Sequence, residues 1–154
     1  MTDDPYVLSP GTLPTPFSAR DLREGLPEGT VIVLDLDGPQ GTARQFNTFA
    51  DADEAGATWS TFSDGAEPAS ERVTWLELQG HASFDAASAT RVRETISHPL
   101  GELDCWRYEV GTPRDGSVFW FDISRPGMPV RMERREGGVR ASGFEAIEWS
   151  VGLR

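Results

Sequence analysis

The most reactive side chains in this sequence are two histidines and one cysteine, His81, His98 and Cys105. A tetrahedral zinc site needs three or four such ligands in register. Intervals of 17 and 7 residues between them match no ligand motif, so no metal is expected. A thiol nucleophile requires an exposed Cys105 beside a cation. Between Asp104 and Trp106, on an alternating stretch, Cys105 reads instead as a small buried residue. Asp35-Leu36-Asp37-Gly38 puts two carboxylates at the end of an apolar strand, where aspartate-based phosphoryl transfer could begin. That chemistry also needs a phosphate-positioning Lys and a parallel sheet with crossover helices. All 14 basic residues are Arg. Asp51-Ala52-Asp53-Glu54-Ala55-Gly56 starts like a calcium loop. Its fifth and twelfth positions are Ala55 and Phe62, which remove two of the required oxygens. No nucleophile elbow and no glycine-rich phosphate loop occurs. No catalytic residue, metal or cofactor is assigned from the sequence.

Aromatic side chains carry more information. The chain has five Trp, two Tyr and eight Phe. Trp59, Phe62, Trp106, Tyr108, Phe119, Trp120, Phe121, Phe144 and Trp149 all fall on expected strands. A curved sheet bearing bulky rings can enclose a small apolar ligand; the same rings can equally fill a core. The expected ligand-binding set is Trp75, His81, Trp106, Tyr108, Trp120 and Arg131. Trp120 and Phe121 point to opposite sides of one strand, so at least one lies outside the main core. Arg131, Arg134, Arg135 and Arg140 form a basic patch on the last hairpin. They could receive a carboxylate or phosphate, or pair with Glu133, Glu136, Glu145 and Glu148. His81 is expected to contact backbone near a helix end, and His98, before Pro99, to be solvated.

These side chains must be positioned by short elements. Residues 1–16 hold four prolines and read as an extended lead-in. Ser18 with Asp21 three residues later, flanked by Phe17 and Leu22, predicts a helix over 19–25 that stops at Gly25 and Pro27. Alternating β-branched residues predict strands at 30–36, 42–50 and 57–63, joined by short polar turns. Residues 64–72 read as a loop. Thr74 with Glu77 and the Val73–Leu78 staple predict a helix over 75–83; the competing reading is a strand, since Leu76 and Leu78 alternate. Strands are then expected at 90–97, 103–110, 117–123, 128–136 and 139–149. Turns at Asp115-Gly116, Pro126-Gly127 and Gly137-Gly138 separate the last of them.

With 154 residues and a formal net charge of −11, the chain fits one domain spanning 1–154. Such a charge disfavours a nucleic-acid backbone, which is bound by neutralising phosphates. The longest apolar run, Val31-Ile32-Val33-Leu34, falls far short of the roughly 20 residues of a membrane-spanning helix. The acidic start is unlike a secretory leader, and a cytoplasmic location is expected. Oligomeric state is left open.

The stretches Thr95-Ile96, Pro99-Leu100-Gly101-Glu102-Leu103-Asp104-Cys105-Trp106-Arg107-Tyr108, Phe119-Trp120-Phe121 and Pro126-Gly127-Met128-Pro129-Val130 resemble β-rich actinobacterial proteins. Their order is also similar to the sheet of the LolA/LppX-like lipoprotein-carrier fold. That resemblance implies an antiparallel sheet curled around helices, in a fold some of whose members hold lipid. The expected fold is therefore α+β, a strongly curved antiparallel meander of about seven to nine strands wrapped on one or two short helices. The expected function is binding of a small apolar ligand without catalysis. A module engaging a basic protein partner, or an enzyme whose acid–base groups are scattered in sequence, are the alternatives.

Overall fold

The computed structural model describes residues 4–64 and 66–152. Met1, Thr2 and Asp3 of the acidic start therefore lie outside the described residues. Two helices, α1 (Ala19–Gly25) and α2 (Trp75–Gly80), accompany β1 (Thr30–Gly38), β2 (Gly41–Ala50), β3 (Gly56–Ser63), β4 (Ala69–Thr74), β5 (Ala89–His98), β6 (Gly101–Gly111), β7 (Gly116–Asp122), β8 (Arg131–Glu136) and β9 (Val139–Ser150). The strands form one antiparallel sheet in the order β4-β3-β2-β1-β9-β8-β7-β6-β5. The architecture is α+β, as expected.

The sheet consists of two meanders, β1–β4 and β5–β9, sewn together where β1 pairs with β9. β4 and β5 are consecutive strands at opposite edges. The segment between them, beginning with α2, must therefore cross the sheet. Both helices start where their sequence signals place them. Ser18 Oγ accepts from Asp21 N while Asp21 Oδ2 accepts from Ser18 N, each near 3 Å. Thr74 and Glu77 make the same reciprocal pair. This resolves 75–80 as helix and not strand. α2 ends at Gly80, short of the expected residue 83, and two turn hydrogen bonds, Ala82 N to Gln79 O and Ser83 N to Gly80 O, carry the chain away.

The expected loop over 64–72 is corrected in its second half. Ala69–Thr74 pairs with β3, with Val73 opposite Ala57. Only Val73 of that strand is buried, which is why no alternating pattern announced it. His98 is also corrected: it is buried, not solvated. Its Nδ1 accepts from Leu100 N at 3.0 Å, so in the neutral ring Nε2 carries the proton and donates to Val130 O at 2.9 Å. β5 and β8 are three strands apart in the sheet, or about 14 Å if it were flat. That hydrogen bond, with Arg131 reaching Ser97 O at 3.1 Å, shows how strongly the sheet is coiled at this end.

The lead-in is held in place. Leu13 N bonds to Phe84 O, Thr15 N to Tyr6 O, and Ala86 N to Gly11 O. The amide of Gln79, 2% exposed, ties three segments together. It accepts from Ala19 N and donates to Pro5 O and Thr15 Oγ1. Among the described residues, no helix is long and apolar enough to cross a membrane.

Candidate functional site

Curling the sheet brings distant strands together on the face that carries the helices. Trp59 on β3 and Phe121 on β7 are five strands apart in sheet order, yet both line one cavity of about 210 Å³. Its floor is the sheet, through Phe49, Trp59, Phe119, Phe121 and Phe144. Leu22 and Leu26 of the α1 segment, Leu78 and Ala82 of the α2 segment, and Met128 and Pro129 of the β7–β8 connection form the other walls.

The rings of the floor are fixed from behind. Asn47, fully buried on β2, accepts from Trp59 Nε1 at 3.1 Å. Trp59 in turn stacks on Phe49, with centroids 6.2 Å apart. Tyr108 meets Phe121 edge-on at 5.6 Å, and Phe84 packs on both Tyr108 and Phe119. The Tyr108 hydroxyl donates to Pro14 O at 2.6 Å. Burial pushes its pKa up to about 12, against a smaller opposing pull from Arg91.

Among the described residues, Gln79 and His81 are the polar side chains of the lining besides the Trp59 indole, whose N–H is held by Asn47. The Gln79 amide is committed to the three backbone and hydroxyl partners described above. Among the described residues, His81 is the one exposed residue of the lining and therefore stands at its rim. Its ring lies 6.2 Å from Trp59, and its side chain makes no backbone bond among the described residues. No Asp, Glu or Arg lines the cavity among the described residues.

Of the six residues expected to bind ligand, the structure places only His81 on this cavity. Tyr108 stands behind its wall. Trp75 is buried at the start of α2, its Nε1 donating to Asp53 O at 2.8 Å. Trp106 is half-buried beneath two guanidinium groups, Arg91 at 4.0 Å and Arg93 at 5.2 Å from its ring centre. Trp120 and Arg131 occupy the opposite, outer face. There Trp120 is nonetheless buried, with Arg131 5.7 Å above its ring and Glu94 at its indole nitrogen. Both Trp120 and Phe121 are thus covered, by different materials on the two faces.

The basic patch is internally neutralised. Arg131 Nε donates to Glu145 at 2.9 Å, Arg135 pairs with Glu133, Arg134 with Glu136, and Arg140 with Asp37. Arg140 holds the Asp37 carboxyl below its usual pKa by donating to it. That contact accounts for part of the Asp35-Leu36-Asp37 acidic pair. Cys105 is fully buried on the outer face; desolvation, helped by Asp122, pushes its thiol up to about 12. It is not a thiolate at neutral pH. Asp53 of the Asp51–Gly56 turn accepts from Ala55 N and Gly56 N, which lower its pKa.

A coiled antiparallel sheet with two helices packed over an apolar cavity on one face defines the architecture. No family model matches the chain, and no curated protein does. Among solved structures, the chain is similar to the crystal structure of MucB, with a TM-score of 0.57 at 10% sequence identity. The match covers 86% of this chain and 56% of that one, so the chain spans little more than half the length of MucB. At that identity the likeness is one of fold.

Proposed function

We propose that the protein binds a small apolar ligand in the cavity between sheet and helices. The observation that carries this reading is the lining itself: a space, open at the His81 rim, walled by five aromatic rings of the sheet and by aliphatic side chains of both helical segments. Packed interiors normally leave few voids larger than a water molecule. A void with apolar walls and a few convergent polar groups is the usual form of a ligand site. The LolA-like fold supports the same reading, since its curled sheet creates such a space.

A native mass spectrum of protein purified from its own host tests the proposal. The expected result is a defined extra mass that is lost on denaturation. A bare subunit mass, together with no uptake of toluene by the purified protein, overturns it. A second reading, a surface for a basic protein partner, draws on the net charge of −11 and on the outer-face Phe46–Phe62 stack, whose Phe62 is 41% exposed. Co-purification of a basic protein from the same host that a charge-reversed surface variant fails to retain supports that reading; a subunit that elutes alone counts against it.

A further inference from the structure

We propose that the ligand is a neutral single-ring aromatic bearing one hydrogen-bonding substituent, with its ring among the phenylalanines and its substituent at the His81 imidazole. This rests on the apolar-ligand reading above and narrows it to a chemical class. Three observations carry it.

The first is size. The cavity is about 210 Å³. A dry apolar cavity of about 150 Å³ accepts benzene, whereas sites for drug-sized ligands begin near 300 Å³. One substituted ring fits this interval and leaves room for its substituent to reach the rim. The second is the polar inventory. Gln79 has both amide hydrogens and its carbonyl engaged. Among the described residues, the His81 imidazole is the one polar side chain of the lining without a hydrogen bond, and it sits at the exposed rim. An imidazole can donate from one nitrogen and accept at the other, so it suits a hydroxyl. The third is charge. Among the described residues, no guanidinium lines the cavity to hold a carboxylate and no carboxylate lines it to hold an ammonium. A charged group moved into such walls would lose its hydration without compensation. The net charge of −11 further disfavours an anion.

Isothermal titration calorimetry with toluene, p-cresol and benzoate separates the possibilities. Toluene and p-cresol have the same ring and methyl group and differ by one hydroxyl. The expected result is that both bind the wild-type protein, p-cresol about 3–10-fold tighter, the usual net worth of one hydrogen bond. Benzoate is expected to bind at least about 10-fold more weakly than p-cresol, because its charge is unpaired there. His81→Leu should abolish the preference, since the hydroxyl at the rim then loses its imidazole partner. His81→Gln should retain it. His81 is exposed, so both variants should fold. If toluene binds but p-cresol is no tighter, if the preference survives in His81→Leu, or if benzoate binds best, this inference is overturned and the apolar-ligand reading stands. If neither toluene nor p-cresol binds, the apolar-ligand reading is overturned and this inference with it.

Discussion

Single residues decide whether the cavity has walls. Gln79 is the clearest case, because one amide holds the lead-in, the start of α1 and α2 in register. Gln79→Leu keeps most of the volume but takes a partner from Ala19 N and Pro5 O, in part-buried places, and from the buried Thr15 hydroxyl. Each buried group so orphaned costs about 1–3 kcal/mol, part of which relaxation recovers. The expected loss is about 2–4 kcal/mol, read as a shift in the urea midpoint at unchanged slope. Nothing in the sequence distinguishes Gln79 from a solvent-facing helix residue, because its partners lie 60 and more residues away in the chain. Tyr108 gives a second prediction at this scale. Its pKa is raised from 10.0 to about 12 by burial, so the folded state holds the phenolic proton more tightly than the unfolded chain. That stabilisation is complete below pH 10 and is lost as pH rises through 12. Spectrophotometric titration should show its ionisation coinciding with alkaline unfolding. Removing the ring's hydroxyl in Tyr108→Phe should delay the alkaline transition, if the lost bond to Pro14 O leaves a fold stable enough to titrate.

At the level of elements, the legible features were those written in local chemistry. Capping boxes at Ser18 and Thr74 located both helices, and alternation together with turn signals located eight of the strands. β4 was missed because an edge strand with one buried side chain carries almost no pattern. The contact between α1 and the β7–β8 connection was equally invisible, yet it builds one wall of the site. Gly25 closes α1 against Pro126 with no room for a methyl group: a Cβ there would stand 2.6 Å from the proline Cβ. Gly25→Ala therefore sets two effects against each other. Alanine gains about 1 kcal/mol in helix propensity, and overpacking costs about 1–3 kcal/mol. The balance should be a modest net destabilisation, by about 1 kcal/mol. Because Met128 and Pro129 belong to the displaced connection, toluene affinity should fall as well. Unchanged affinity would show that this wall is not part of the ligand site.

At the scale of the whole molecule, the sheet's coiling creates the site, and coiling is not encoded at any one position. The aromatic residues were legible as a set, but the side and neighbours of each depend on how far β3 has wrapped toward β7. Six expected ligand residues accordingly scatter over two faces, with only His81 on the cavity. The same geometry makes the cavity a missing piece of core, and this yields the last prediction. Ala82 lines the cavity and is itself buried. Ala82→Leu should fill part of the space and raise stability by about 0.5–2 kcal/mol, the usual return on filling a void. It should also block the ligand. For the wild-type protein, toluene at about 100 times its dissociation constant should contribute about 2.7 kcal/mol. That corresponds to a rise in Tm of about 5–10 °C for a chain of this size. In Ala82→Leu the unliganded Tm should be higher and the toluene shift absent. A variant that gains stability but keeps the full shift would place the ligand elsewhere, since one volume cannot hold both the leucine and the guest.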